Sequence, residues 1–247
     1  MTTSKREAIK TQRLKKKRQQ RMNTLLWVGG FIVVLIIVLI SPQIYNALQP
    51  AGAFNQITPV PYQMVDGKAI GNPNAKVKIE VYEDFQCPAC KGYTDSVEKQ
   101  LLTSSYITDG LVYYVYKQFP FLDSQSVTKE SHQSANASMC ALEQDRFWDY
   151  HDILFANQGV AENSGSFNDK RLQAFAESLG LDMAAFNDCF GANKYSEDIN
   201  ADYQSGKSQG VSRTPSILIN GTNQFPTYIP TYDEITAAID TALAAGG

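Results

Sequence analysis

Residues 77–90 read VKIEVYEDFQCPAC. Val77 to Tyr82 have the period-two character of a strand. The stretch from Lys91 to Leu102 fits a helix. Cys87-Pro88-Ala89-Cys90 therefore sits at a strand-to-helix junction, the layout a dithiol/disulfide centre needs. A helix N-terminus offers unpaired N–H groups and the positive end of a dipole, and both favour a thiolate on the first cysteine. Pro88 suits the first helical turn, where its missing N–H is not needed.

Working outward, the chain of 247 residues is long enough for one sizeable core with accessories. Its net charge of −3 hides an asymmetry. Residues 1–21 hold nine Lys/Arg and one acid, Glu7, and the rest is acidic. An apolar run, LLWVGGFIVVLIIVLI, follows at Leu25–Ile40. It suffices for a tilted membrane helix, and the basic side is expected in the cytoplasm. A basic run can bind nucleic acid, but one directly before an apolar span reads as a topology signal, and no nucleic-acid partner is expected. The alternative is a cleaved signal peptide, yet the Ala51-Gly52-Ala53 site lies far beyond the apolar core. The division expected is a basic cytoplasmic tail (1–22), a single-pass anchor (23–45), a Pro/Gly-rich linker (46–60) and an extracytoplasmic domain (61–245).

Export permits disulfides. Four cysteines, Cys87, Cys90, Cys140 and Cys189, allow three pairings. The short motif favours Cys87–Cys90, which leaves Cys140 with Cys189 as a structural pair. The competing reading is two buried free thiols.

Strands are expected at Val77–Tyr82, Leu111–Lys117 and Ser216–Ile219, with Gln224–Tyr228 pairing back across the Asn220-Gly221 turn. A short strand is expected within Tyr62–Ile70 around Asp66-Gly67. Helices are expected at Lys91–Leu102, in one long stretch within Val127–Asn157, and at Asp169–Leu179, Met183–Phe190, Lys194–Lys207 and Tyr232–Leu243. Thr231 and Glu234 have capping-box spacing, Gly180 reads as a helix stop and Asp182 as an N-cap. The result is an α/β unit interrupted by a helical block at about 125–207.

Three groups of residues carry a family resemblance. They are Asp84-Phe85-Gln86-Cys87-Pro88-Ala89-Cys90; Cys140 to Gln144 with Phe147-Trp148-Asp149-Tyr150-His151-Asp152; and Gly210 to Ser216, followed by Ile217 to Gly221. Over about residues 60–245 the chain resembles the DsbA-like branch of the thioredoxin superfamily, most of all its membrane-anchored bacterial members. The resemblance implies a thioredoxin-like fold with an inserted helical domain. It implies that Cys87 is the nucleophile and Cys90 the buried resolving thiol, and that Thr214–Pro215 is a cis bond facing them. It implies a redox-active Cys87–Cys90 disulfide with no other cofactor and no metal. The partners it implies are reduced or unfolded exported proteins and a membrane redox partner of the DsbB or vitamin K epoxide reductase type.

The chain departs from the family in three places. Many relatives carry an acid six residues before the first cysteine, and here that position is Val81. Glu80 and Glu83 flank it and are expected on the other face, which leaves an acid-assisted step in doubt. The residue before Thr214, often Gly, is Arg213, a cation that either favours a thiolate or faces solvent. Pro88-Ala89 lacks the His of the enteric motif, so a less depressed thiol pKa and a less oxidising centre are expected. His132 and His151, the only histidines, have no metal-ligand spacing. His151 reads as helix packing among aromatics. A reductase or isomerase of the same fold, and a cysteine-stapled or zinc-binding module without catalysis, are the alternatives.

Overall fold

The chain divides between Pro50 and Ala51 into two units. The computed structural model describes residues 3–48, 50–125 and 127–246. The first unit is one helix, α1 (Thr3–Leu48), with no break between the expected tail and anchor. Its stretch Lys15–Ile40 is long and apolar enough, by length and composition, to cross a membrane. The apolar side chains from Leu25 to Ile40 are exposed.

The second unit starts with a strap, residues 51–62, stitched onto helical residues. Phe54 packs edge-on against Phe175 at 5.1 Å. The Asn55 N–H donates to Asn157 Oδ1 at 2.6 Å, and Asn157 Nδ2 donates back to the Asn55 carbonyl at 2.7 Å. Arg171 Nη1 donates to the Ala53 carbonyl at 3.0 Å. Residues 51–60 of the expected linker are therefore part of the globular unit.

A hairpin of β1 (Val65–Asp66) and β2 (Ala69–Gly71) turns at Gly67-Lys68, one residue on from the expected Asp66-Gly67. Gly71 has φ +111, and a Cβ there would lie 2.1 Å from the Val112 carbonyl oxygen, so no other residue fits. β3 (Val77–Glu83) leads into α2 (Pro88–Tyr93), a π-helical turn (Thr94–Glu98) and α3 (Lys99–Leu102). The helical run begins three residues before the expected Lys91, because Cys87 is the N-cap and Pro88 opens the helix. α4 (Ser105–Thr108) then leads to β4 (Val112–Gln118).

The expected long helix within 127–157 is two, α5 (Glu130–Leu142) and α6 (Phe147–Ala156). The chain reverses between them with Asp145 at φ +57, a left-handed conformation that ends a helix. α7 (Asp169–Ser178) stops before Gly180, at φ +72, and α8 (Met183–Gly191) is capped by Asp182, which accepts from the Ala184 and Ala185 N–H groups. α9 (Ser196–Ser208) completes the block.

β5 (Ser216–Ile219) pairs with β6 (Thr222–Asn223), not with Gln224–Tyr228. Asn220 and Gly221 both have positive φ, the two-residue hairpin turn that lets the returning strand pair at once. α10 (Tyr232–Ala244) opens with the Thr231/Glu234 capping box.

The sheet order is β1-β2-β4-β3-β5-β6, with β3 and β4 parallel and every other pair antiparallel. Five helices, α5–α9, lie between β4 and β5 in sequence. This is the thioredoxin-like fold with an inserted helical domain that the resemblance implied. Val77, Ile79 and Val81 of β3 enter the main core, whereas Tyr82 points to a smaller cluster with Phe119, Val211 and Leu218. The end of β3 thus delivers Cys87 at the edge of a core built from sheet and insertion together.

Candidate active site

The turn that carries Cys87 is held from several directions. The Asp84 carboxylate accepts from the Gln86 N–H (2.9 Å) and the Leu122 N–H (3.1 Å), while the Asp84 carbonyl accepts from the Cys87 N–H (2.9 Å). Gln86 Nε2 donates to Ser131 Oγ at 2.8 Å, and Gln86 Oε1 accepts from the Asn163 N–H at 2.6 Å. Gln158 Nε2 donates to the carbonyls of Phe85 (2.7 Å) and Cys87 (2.9 Å). Ser131, Gln158 and Asn163 all come from the helical block or its loops, so the insertion fixes the turn that carries Cys87.

Cys87 and Cys90 are both thiols here. Cys87 keeps 6% of its surface exposed and Cys90 none. The Thr214–Pro215 bond is cis, and Cys87 Sγ donates to the Thr214 carbonyl at 3.5 Å. The structure thus brings Cys87, Cys90, Thr214 and Pro215 to one place.

The Cys87 thiol is lowered from 9.0 to about 6. The chief cause is the hydrogen bond from the Cys90 thiol. Burial opposes it, and Thr214 with the Cys90 and Ala89 N–H groups adds to it. The Cys90 and Ala89 N–H groups are the open end of α2, as its N-terminal position requires. Cys90 moves the other way, raised well above its usual value by burial, by its hydrogen bond to Cys87 and by the Glu83 charge.

Cys140 and Cys189 form a disulfide joining α5 to α8. The four cysteines are two separate pairs, so a four-thiolate zinc site does not assemble.

Beneath the cysteines lies a charge cluster that the sequence reading placed wrongly. Glu83 does not point away with Glu80. It is two residues from Val81, shares its face, and is fully buried. Glu80 instead meets Lys78 at 3.1 Å near the surface. Glu98, from the π-helical turn, and His151, from α6, complete the cluster, buried at 0% and 1% exposure. His151 Nε2 lies 3.3 Å from Glu98 Oε2 and 4.0 Å from Glu83 Oε2, and its Nδ1 lies 3.1 Å from Asp152 Oδ1. Among the described residues this is the one group of three side chains with metal-ligand chemistry in reach of each other.

Burial works against charge on Glu98, but the His151 imidazolium and the Tyr114 hydroxyl, 2.6 Å away, hold its carboxyl below the usual range. Burial likewise opposes charge on His151, and Glu98, Asp152 and Glu83 outweigh it, so its pKa is held well above the usual value. Glu83 rises to about 8, first through burial and then through the Glu98 charge. His151 does pack against Phe85, Tyr116, Trp148 and Phe155, as its aromatic surroundings suggested. Its role as a buried cation was not read from the sequence. The available signal was periodicity: Glu83 continues the inward face of β3, and Glu98 falls in the stripe Cys90, Tyr93, Val97, Leu101. A charge on an inward stripe needs a partner.

The sequence profile of the thioredoxin family matches residues 63–241. A probable disulfide bond formation protein D from Bacillus cereus is 26% identical over 177 residues, covering 71% of this chain and 78% of that protein. A Na(+)/H(+) antiporter, NhaA 1 of Salinispora arenicola, is 29% identical over 174 residues, 70% of this chain, and the chain spans only 24% of the antiporter's length. Oxidised BdbD from Bacillus subtilis superposes with a TM-score of 0.61 at 21% identity, covering 77% of this chain and all of that one. The chain therefore belongs to the thioredoxin family, and the helical block between β4 and β5 gives it the DsbA-like form of that fold.

Proposed function

We propose that the chain is an extracytoplasmic thiol–disulfide oxidoreductase, tethered by α1, that forms disulfides in exported proteins. The observation that carries this reading is the asymmetry of the motif: one thiol keeps a small exposed face and a lowered pKa, and the other is sealed from solvent with a raised one. A substrate thiolate attacks Cys87 of the oxidised pair. The bond from substrate sulfur to Cys87 forms, the Cys87–Cys90 bond breaks, and Cys90 leaves with the electron pair and takes up a proton. The substrate's second thiolate then attacks its own sulfur in the mixed disulfide, and Cys87 departs as a stabilised thiolate. The substrate loses two electrons and the cysteine pair gains them. A quinone-linked membrane partner of the DsbB or vitamin K epoxide reductase type would return the pair to its oxidised form.

The relative named as a disulfide bond formation protein supports this direction. The Thr214 backbone, whose carbonyl lies 3.5 Å from Cys87 Sγ, supports an extended substrate docking by backbone hydrogen bonds. The test is the redox equilibrium of Cys87–Cys90 against glutathione, joined to trapping with Cys90→Ser. A potential of about −120 to −180 mV, with substrate proteins held on Cys87, is expected. A potential near about −270 mV would place the chain with reductases instead.

A further inference from the structure

The cluster of Glu83, Glu98 and His151 is matched in charge but not in hydrogen bonding. All three side chains are buried. Both oxygens of Glu83, Glu98 Oε2 and His151 Nε2 make no hydrogen bond among the described residues. Proteins pair nearly all their buried polar atoms, and an exception marks a strained group, a reactive group or a bound ion. Here four exceptions share one buried space and face one another. His151 Nε2 lies 3.3 Å from Glu98 Oε2 and 4.0 Å from Glu83 Oε2, and one ligand atom from each side chain lies within 4.8 Å of the other two. A zinc ion held tetrahedrally at about 2.1 Å sets its ligands about 3.4 Å apart. The His151–Glu98 distance already meets that spacing, and the Glu83 carboxyl has only a short way to draw in. The atoms behind the cluster support ligation. His151 Nδ1 faces Asp152 Oδ1 at 3.1 Å, which fixes the ring with Nε2 turned to the two glutamates. Glu98 Oε1 accepts from the Tyr114 hydroxyl at 2.6 Å, which leaves Oε2 for the cluster. A carboxylate behind a ligating histidine, and a donor behind a ligating carboxylate, are the usual surroundings of a protein-bound metal.

We propose that Glu83, Glu98 and His151 form a three-ligand site for a divalent first-row metal ion of the zinc type, which joins α6 of the insertion to β3 and to the π-helical turn. This departs from the resemblance, which implied no metal. The donor set selects the ion. Calcium and magnesium take oxygen ligands, whereas an imidazole nitrogen beside carboxylates suits zinc and its neighbours. Two carboxylates and a neutral imidazole balance a divalent charge. Metal and proton compete for His151 Nε2, so binding releases the proton the ring otherwise carries. The ion takes up the atoms that hydrogen bonding leaves out. Neither cysteine is a ligand, so the site stands independently of the redox reading.

The chain has two histidines, which makes the site readable without disturbing it. His132 lies outside the cluster, its Nε2 3.2 Å from Asn193 Oδ1, so His132→Gln leaves His151 as the sole imidazole. The full-length His132→Gln chain, without a histidine tag and labelled with ¹⁵N-histidine, is produced in zinc-supplemented and in zinc-depleted medium. It is purified in detergent with Cys87–Cys90 oxidised, so that no thiolate competes for the metal, and dialysed against metal-free buffer. Elemental mass spectrometry is expected to find one zinc per chain in the first preparation. Nitrogen NMR is expected to show the His151 Nε2 resonance moved between the two preparations, with Nδ1 still protonated. Absence of retained zinc, or retained zinc with the His151 nitrogens unmoved, overturns the proposal. Glu83→Gln is expected to weaken zinc binding by about tenfold or more, and unchanged affinity in the folded variant also overturns it. If that variant fails to fold, the His151 nitrogens decide alone.

Discussion

Cys87 and Cys90 are the same residue three positions apart, yet their surroundings drive the two thiols in opposite directions. Cys87 caps a helix and collects donors, whereas Cys90, one turn in, is buried above Glu83. The folded Cys87 value, about 6, lies below the ordinary 9.0. The stabilisation of the folded dithiol form by this thiolate is therefore complete above about pH 9 and is lost as pH falls through about 6. Its full extent is about 4 kcal/mol at 1.36 kcal/mol per pKa unit. Urea unfolding of the dithiol form, referenced to the disulfide form, is expected to show this gain between pH 6 and pH 9. Alkylation of Cys87 is expected to rise through pH about 6, and a midpoint near 9 would contradict it. The value stands above the roughly 3.5 quoted for DsbA. The proposed reactive pair was named from four residues. The acid beneath it was misread, because Glu83 was grouped with its neighbour Glu80 instead of with Val81, whose face it shares.

Elements held to the sequence pattern wherever a local rule governs them. The capping box at Thr231, the cap at Asp182 and the stop at Gly180 all depend on residues within one turn. The errors fell where one backbone conformation decides the outcome: the left-handed Asp145 that splits α5 from α6, and the Asn220-Gly221 turn that brings the return strand forward to Thr222. α9 shows a demand invisible locally. A Cβ on Gly206 would stand 2.8 Å from the Phe119 ring and 2.9 Å from Tyr82, so this glycine lets the helix approach the outer face of β3. Gly206→Ala is expected to lose about 1–3 kcal/mol by overpacking against about 1 kcal/mol gained in helix propensity, a net cost of up to about 2 kcal/mol. Thermal unfolding measures it, and an unchanged or raised Tm would show that the two rings give way freely.

In the whole globular unit, the insertion and the sheet are one structure. Gln158 and Asn163 clamp the turn that carries Cys87, His151 enters the charge cluster, and the strap binds the end of α6 through Asn55 and α7 through Phe54. The Cys140–Cys189 disulfide closes a sequence separation of 49 residues across this block. In the chain-entropy treatment such a loop contributes about 4 kcal/mol. Replacing both cysteines by Ser is expected to lower the unfolding free energy by about that amount while leaving thiol exchange at Cys87 intact. Loss of exchange in a variant that remains folded would show that the second disulfide also supports the site.

The sequence by itself determined the chemistry and the class of fold. A CPAC motif after an alternating strand, a Thr-Pro step before a second strand, capped helices between them and a basic-apolar N-terminus are all patterns within a few turns of chain, and short-range stereochemistry reads them out. Only the tertiary structure decided what surrounds that chemistry. Glu83, Glu98 and His151 come from a strand, a π-helical turn and an inserted helix, and no local pattern says that three such side chains will share one buried space. Their charges are tolerable there only because they meet. That meeting is fixed by long-range packing of the insertion on the sheet.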